Sequence, residues 1–250
     1  MTTQAPTKFD LVVGASGYIG TNLVEYLRAR GREVRAVSRH IEVLEGRDWT
    51  DVEICRADVL KPETLDAVLE NVDTAYYLVH SMAAGKGFPE LDAQAARNFA
   101  EAAARHQVRR IVYLGGLTPD NPHSAHLRSR QKTGDILRKG SVPVTELRAG
   151  MIIGPGSAAW EVIRDLVNHL PVMVTPKWVF SRSTPIALSN LVHYLAAVSS
   201  HEETAGQIYD VAGPDVVTYA EVMRRYGRLV GKKPIIFSVP VLTPRLSSYW

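Results

Sequence analysis

The chain has 250 residues, of which 46% are hydrophobic and 22% charged, with a formal net charge of +3; it is long enough to bury a substantial core as one large domain, or as a domain with a smaller appendage. Its single cysteine, Cys55, excludes an intramolecular disulfide and a cysteine-based metal centre, so it reads as core filler in a strand and no metal is expected. The small, diffuse positive charge gives no footprint for nucleic acid, and no apolar run approaches membrane-spanning length.

The first element is an apolar strand from Phe9 to Val13, followed at once by Gly14-Ala-Ser-Gly17-Tyr-Ile-Gly20 and an amphipathic helix. A glycine trio is a weak signal alone and a strong one between a buried strand and a helix N-terminus, where a diphosphate can be held. Gly14 lets the chain turn sharply off the strand, and Gly17 has no Cβ to keep the backbone from the anion. Gly20 lets the helix pack closely, while Ser16 and the backbone N–H groups of Tyr18 and Ile19 join the anion-facing set. Ile19, Leu23 and Leu27 form the core stripe of this helix, which ends at Arg28, Arg30 and Gly31.

Strands are expected next at 33–38 and 52–57, then a helix over 62–70 begun by Pro62. A continuous apolar and aromatic run over 74–80 predicts a strand covered on both faces, and an alanine-rich helix follows at 90–106. A strand at 110–114, a helix at 127–139 and a strand at 144–147 continue the alternation of βαβ units. The basic residues Arg128, Arg130, Lys132, Arg138 and Lys139 read as a solvated face of that helix.

Beyond Gly150 the regularity weakens. Gly154-Pro-Gly156 breaks the chain, and Pro171, Pro176 and Pro185 punctuate short extended pieces among helices at 159–170, 189–199 and 219–230 and a strand at 207–211. The expected architecture is a doubly wound parallel α/β sheet, a Rossmann fold, over 1–150, with a smaller, partly interleaved substrate-side region over 151–250. Met151, Trp160, Met173, Trp178 and Phe180 supply that region's large apolar residues, as core or as pocket.

The end of the second strand speaks to the cofactor. A chain that prefers NAD places Asp or Glu roughly twenty residues beyond the glycine turn, on the ribose 2′-hydroxyl. Here the strand ends Ala36-Val37-Ser38-Arg39-His40, without a carboxylate. A 2′-phosphate would meet the Ser38 hydroxyl and the forked Arg39 guanidinium, so NADP(H) is favoured over NAD(H). Asp58 and Val59, ending the third strand, stand where an adenine would pass; the alternative for Asp58 is a cap or turn carboxylate ahead of Pro62. Val79, His80 and Ser81, leaving the fourth strand, lie on the path of the nicotinamide ribose, and Gly115, near the end of the fifth, joins the set. His80 is either a polar lid or an acid/base group.

The Gly-x-x-Gly-x-x-Gly turn, Ser38-Arg39, Asp58-Val59, Ile111 to Leu114 and Leu147 to Gly156 together resemble atypical, extended short-chain dehydrogenase/reductase proteins. More narrowly, Tyr76 to Met82 and Val241 to Ser248 resemble a bacterial group close to the NmrA-like proteins and the 39-kDa accessory subunit of respiratory complex I. The resemblance implies a Rossmann fold with the dinucleotide across the strand ends, at Gly14, Gly17, Gly20, Arg39, Asp58 and 79–81. It also exposes a departure. Active members carry Ser after the fifth strand and Tyr-x-x-x-Lys on the next helix, where tyrosine moves a proton and lysine lowers its pKa. This chain has Gly115-Gly116, and Leu127 and Gln131 at the dyad positions.

Two functions are compatible with these residues: a reductase of a small apolar, carbonyl or quinone-like substrate with an unconventional proton donor, His80 or a bound water, and a non-catalytic NADP(H) sensor or assembly factor acting on a protein partner. A cytoplasmic location is expected from the polar N-terminal residues.

Overall fold

The computed structural model describes residues 8–80, 87–117 and 124–239. These residues form two compact units. One contains the described residues up to Ala149 together with Asn190–Val211; the other contains Gly150–Ser189 and the described residues from Ala212 onward.

In the first unit, strands β1 (Phe9–Val13), β2 (Val34–Ser38), β3 (Val52–Arg56), β4 (Val72–Tyr77), β5 (Arg110–Gly116) and β6 (Val144–Ala149) alternate with helices α1 (Tyr18–Arg28), α2 (Glu42–Glu45), α3 (Leu65–Leu69), α4 (Phe88–Arg105) and α5 (Ala125–Arg138). The chain returns to this unit through α7 (Leu188–Ala197) and β11 (Ile208–Val211). The seven strands lie in the order β11-β6-β5-β4-β1-β2-β3, and every pairing is parallel. Sequence order reverses between β1 and β4, so the crevice beyond their carboxyl ends is the place where such a sheet binds ligands.

The sheet is covered as its apolar runs require. Leu11, Ala75, Tyr77, Ile111 and Tyr113 pack with Leu65, Leu69 and the alanine face of α4. Phe99 of α4 is fully buried with its ring 5.0 Å from that of Tyr77. The far edge is fixed by a buried cation. Arg110 is 1% exposed and its guanidinium donates to the carbonyls of Val198 and His201 at 2.5 and 2.7 Å and to Thr204 Oγ1 at 2.9 Å. This clasp holds the turn before β11 against β5, while β11 pairs with β6 through Ile208 to Val211. The long-range pairing is why residue 150 does not close the first unit: the chain leaves there and re-enters over Asn190–Val211.

Most expected elements are present within one to three residues of their expected ends, with three differences. The strand expected to reach His80 ends at Tyr77, so Val79 and His80 lie beyond the sheet. The 62–70 segment is a 3₁₀ turn at Pro62–Thr64 followed by α3. On α1 the fully buried positions are Gly20, Leu23, Val24 and Leu27; Ile19 is only half-buried. Cys55 is likewise half-buried on β3 against the core, and burial pushes its thiol up to about 11.

In the second unit, β7 (Ile152–Ile153) pairs with β10 (Ile186–Ala187), and β9 (Arg182–Ser183) with β12 (Val217–Thr218). A further parallel pair joins β8 (Val172–Thr175), one of the short extended pieces expected between the prolines, to β13 (Ile235–Ser238), which was not anticipated from the sequence. Helices α6 (Ala158–His169) and α8 (Tyr219–Leu229) enclose a small core of Met151, Ile163, Val167, Met173, Val179 and Met223. The α8 N-terminus carries a reciprocal capping box between Thr218 and Glu221. Of the large apolar residues expected to line a substrate region, Met151 and Met173 are core, Trp160 stacks edge-on to Tyr226, and Trp178 and Phe180 are exposed. No helix of the described residues is long and apolar enough to cross a membrane.

Candidate dinucleotide site

The glycine turn has the geometry that an anion cradle needs. Gly14 has φ +89°, a left-handed conformation in which a Cβ would stand 2.9 Å from the carbonyl oxygen of Leu78. The Gly14 and Ala15 amides donate to the Val37 carbonyl, and Leu78 donates to Val13, so three strand ends are tied around the turn. Gly20 abuts the same turn: its Cβ would fall on the Gly14 carbonyl and 2.8 Å from the Ala15 Cα. Gly17 is the N-cap of α1, in extended backbone, and a Cβ there would meet only the Gly14 carbonyl oxygen, at 3.3 Å. No side chain caps α1, and no acidic residue occupies its first turn. The helix start thus presents N–H groups and the positive dipole end without a competing carboxylate.

A groove opens at these strand ends, lined by Val13, Gly14, Ser16 and Gly17 from the first turn and by Val37, Ser38 and Arg39 from the second strand. Ala57, Asp58, Val59 and Leu60 line it after β3, and Leu78, Val79 and His80 after β4. Nine of the residues singled out from the sequence are therefore brought together: Gly14, Ser16, Gly17, Ser38, Arg39, Asp58, Val59, Val79 and His80. Tyr18, Ile19, Gly20 and Gly115 do not line it, and Ser81 lies outside the described residues. Gly115 has a different employment: a Cβ there would stand 2.9 Å from Oε1 of Glu146, a buried carboxylate paired with Arg148 at 2.8 Å and with Arg138. That pairing, and the bond from Arg130 to the Leu114 carbonyl, also draw two of the α5 basic residues out of the solvated face expected for them.

The groove residues differ in how far they are already engaged. Ser38 is buried; its hydroxyl donates to Ser16 Oγ at 3.0 Å and accepts from the His40 amide at 3.1 Å. Arg39 beside it is exposed and, among the described residues, has no hydrogen bond or ion pair. Asp58 does serve the turn, since Oδ1 accepts from the Leu60 amide at 3.0 Å, while its backbone is tied to Thr64. Asp58 thus shapes the loop and lines the groove. Asn98 of α4 donates to the Val59 carbonyl at 2.9 Å and fixes that loop from below.

The residues present fit a nicotinamide dinucleotide. Two positions need glycine for the turn to exist at all, and the helix N-terminus behind them is uncapped. The NAD(P)H-binding family model matches residues 14–164, more than half of the chain. The chain belongs to this NAD(P)H-binding family. Among relatives, it is 24% identical over 236 residues to a ceramide reductase of Caulobacter vibrioides, covering 92% of this chain and 73% of that protein. It is 21% identical over 238 residues to the mitochondrial NADH-ubiquinone oxidoreductase 40 kDa subunit of Neurospora crassa, covering 92% of this chain and 62% of that one. The fold is shared with triphenylmethane reductase of Citrobacter sp., solved in complex with NADP(H), at TM-score 0.77 and 19% identity, over 93% of this chain and 79% of that one. These similarities agree with the atypical short-chain dehydrogenase/reductase resemblance and with the complex I subunit group named from the sequence.

The structure adds a cluster the sequence did not disclose. His80 Nδ1 is 2.7 Å from Oδ2 of Asp92 on α4, and His80 Nε2 is 2.8 Å from Nδ1 of His126 in the first turn of α5. Ser129 Oγ donates to the same Asp92 oxygen at 2.8 Å. Asp92 had one legible signal: it lies on the buried stripe of α4 with Ala95, Ala96 and Phe99, a carboxylate on a largely apolar face. His126 had none, because its partner is 46 positions away. Among the described residues no cluster of His, Cys, Asp and Glu has metal-site geometry.

Proposed function

We propose that the first unit binds NADP(H) in preference to NAD(H) and that the protein is a reductase of a small apolar, carbonyl or quinone-like substrate. The observation that carries the cofactor preference is the pairing of an uncommitted, exposed Arg39 with a second strand that ends in Ser38 and no carboxylate. A guanidinium matches phosphate oxygens with two donors, whereas a 2′-hydroxyl offers it little. In this reading the turn from Gly14 to Ile19 holds the diphosphate, Ser38 and Arg39 the 2′-phosphate, Asp58 and Val59 the adenine, and Val79 and His80 the nicotinamide ribose. When bound, the cofactor supplies hydride; the chain must supply binding, orientation and one proton.

A tyrosine is poorly suited to that last task here. Tyr77 and Tyr113 are core residues, and burial pushes the Tyr113 hydroxyl up to about 12. Among the residues that line the groove, His80 supplies an imidazole, a side-chain type able to act as acid or base. The second reading, a non-catalytic NADP(H) sensor working through a protein partner, is favoured by Leu127 and Gln131 standing at the dyad positions.

Thermal unfolding with NADPH and with NADH tests the cofactor assignment, and NADPH oxidation over a panel of carbonyl and quinone substrates tests the reaction. The reductase reading requires stabilisation by NADPH and substrate-dependent oxidation. Stabilisation without oxidation on a broad panel transfers the assignment to the sensor, and no stabilisation by either nucleotide defeats both.

A further inference from the structure

We propose that Asp92, His80 and His126 form a proton relay whose outlet is Nε2 of His126, so that His126 and not His80 protonates the substrate. The inference rests on the reductase reading above and specifies the group that reading lacks. His80 cannot be the outlet as the structure stands, because both its ring nitrogens are engaged, one by Asp92 at 2.7 Å and the other by His126 at 2.8 Å. The outer nitrogen of His126, by contrast, has no partner among the described residues.

Hydrogen placement follows from donor and acceptor chemistry. An ionised carboxylate only accepts, and Asp92 Oδ2 already receives the Ser129 hydroxyl, so the His80 nitrogen facing it carries hydrogen. The contact between His80 and His126 then needs one hydrogen between two nitrogens. With one extra proton on the pair, His80 is the cation, its Nε2–H donates to Nδ1 of His126, and His126 is a neutral ring with hydrogen on Nε2.

The surroundings place the charge the same way. Asp92 is buried, with Oδ2 2.7 Å from Nδ1 of His80. His126 is held below the usual histidine range, first by burial, then by the Arg130 guanidinium one helical turn on and by His80, with Asp92 the opposing influence. Phe88 packs edge-on to His80 with ring centroids 5.8 Å apart. Among the described residues, the charged groups facing the pair are Asp92 from α4 and Arg130 from α5, with the two rings themselves.

The step balances. A carbonyl that accepts hydride from a dihydronicotinamide becomes an alkoxide and needs one proton. His126 Nε2–H breaks as the substrate O–H forms, and the His80 Nε2 proton passes to His126 Nδ1. The pair falls from charge +1 to 0; a bound dihydronicotinamide would supply the hydride, so that the substrate would gain two electrons and two hydrogens in all. Asp92 acts through His80, as a positioning residue that holds its ring through Nδ1.

The test is side-chain nitrogen NMR of the protein across pH 5 to 8.5, without and with NADPH, in the wild type, Asp92→Asn, His80→Gln and His126→Gln. The relay requires the two rings to titrate as a coupled pair, with Asp92→Asn lowering the midpoint by about one pH unit or more and His80→Gln uncoupling His126. His126→Gln should lower turnover by about 100-fold or more while the NADPH dissociation constant stays within twofold. A His126 titration identical in the wild type, Asp92→Asn and His80→Gln overturns the relay, as does undiminished turnover in folded His126→Gln. Turnover with uncoupled rings removes the relay alone; absence of wild-type turnover on every substrate removes the reductase reading and the delivery step with it.

Discussion

The Ser38 hydroxyl donates to the Ser16 hydroxyl at 3.0 Å, joining the end of the second strand to the glycine turn. The two segments that would meet opposite ends of an adenosine phosphate are thus one hydrogen-bonded unit before any ligand arrives. Ser38 also accepts the His40 amide, which orients the backbone carrying Arg39. Ser38→Ala should lower stability by about 1 kcal/mol, as expected for one neutral hydrogen bond and a stranded amide, and weaken NADPH more than NADH. Urea unfolding together with nucleotide titration measures both.

The three glycines should separate folding from binding. Gly20→Ala places a methyl on the Gly14 carbonyl and against Ala15, so overpacking should cost roughly 1–3 kcal/mol and displace α1. Gly17 has ordinary extended backbone and one 3.3 Å neighbour. Gly17→Ala should therefore melt within about 0.5 kcal/mol of the wild type yet bind dinucleotide weakly, because its methyl lies at the anion-facing end of the helix. Calorimetric unfolding of both variants, followed by nucleotide titration, checks the contrast.

Asp10 makes a pH prediction. It is 2% exposed, and burial pushes its carboxyl up to about 6 despite Arg32 at 2.8 Å. The folded value lies above the unfolded one, so its favourable contribution is present below about pH 4 and is lost as the pH rises through 6. Relative to Asp10→Asn, the wild type should lose roughly 3 kcal/mol of unfolding free energy over that window. Denaturant midpoints of the two proteins at pH 4, 5, 6 and 7 give the difference curve; parallel curves would refute it.

Arg110 anchors the returning segment. Arg110→Met keeps an apolar stem but removes the guanidinium's bonds to the Val198 and His201 carbonyls and to Thr204 Oγ1, leaving Thr204 as the remaining donor to both carbonyls, at about 1–3 kcal/mol. Hydrogen exchange should rise first over 198–211, where β11 loses its support, and later over β1 and β4.

What was legible in the sequence follows from the range of the interactions involved. The glycine turn could be read because its steric demand is met within seven residues, and the strands because parallel sheets need continuous apolar runs. Ser38 and Arg39 could be read from their place at a strand end. The boundary at residue 150 could not mark the whole division, because β11 pairs with β6 across some 60 positions. β8 was legible only as a short extended piece between prolines, and β13 not at all, because their alternate residues Val172, Val174, Ile235 and Phe237 are exposed and their pairing spans some 60 positions. Asp92 was visible only as a charge on an apolar helix stripe, and the His80–His126 contact only in three dimensions.

The central claim is that the first-unit groove recognises the 2′-phosphate of NADP(H) through Arg39. Dissociation constants for NADPH and NADH, measured by fluorescence titration on the wild type and Arg39→Ala, address it most directly. The wild type should bind NADPH more tightly, and Arg39→Ala should lose roughly 1.5–3 kcal/mol of NADPH binding, the range for hydrogen bonds to charged groups, with NADH nearly unchanged. Equal wild-type affinities for the two nucleotides, or equal losses in the variant, would contradict the account.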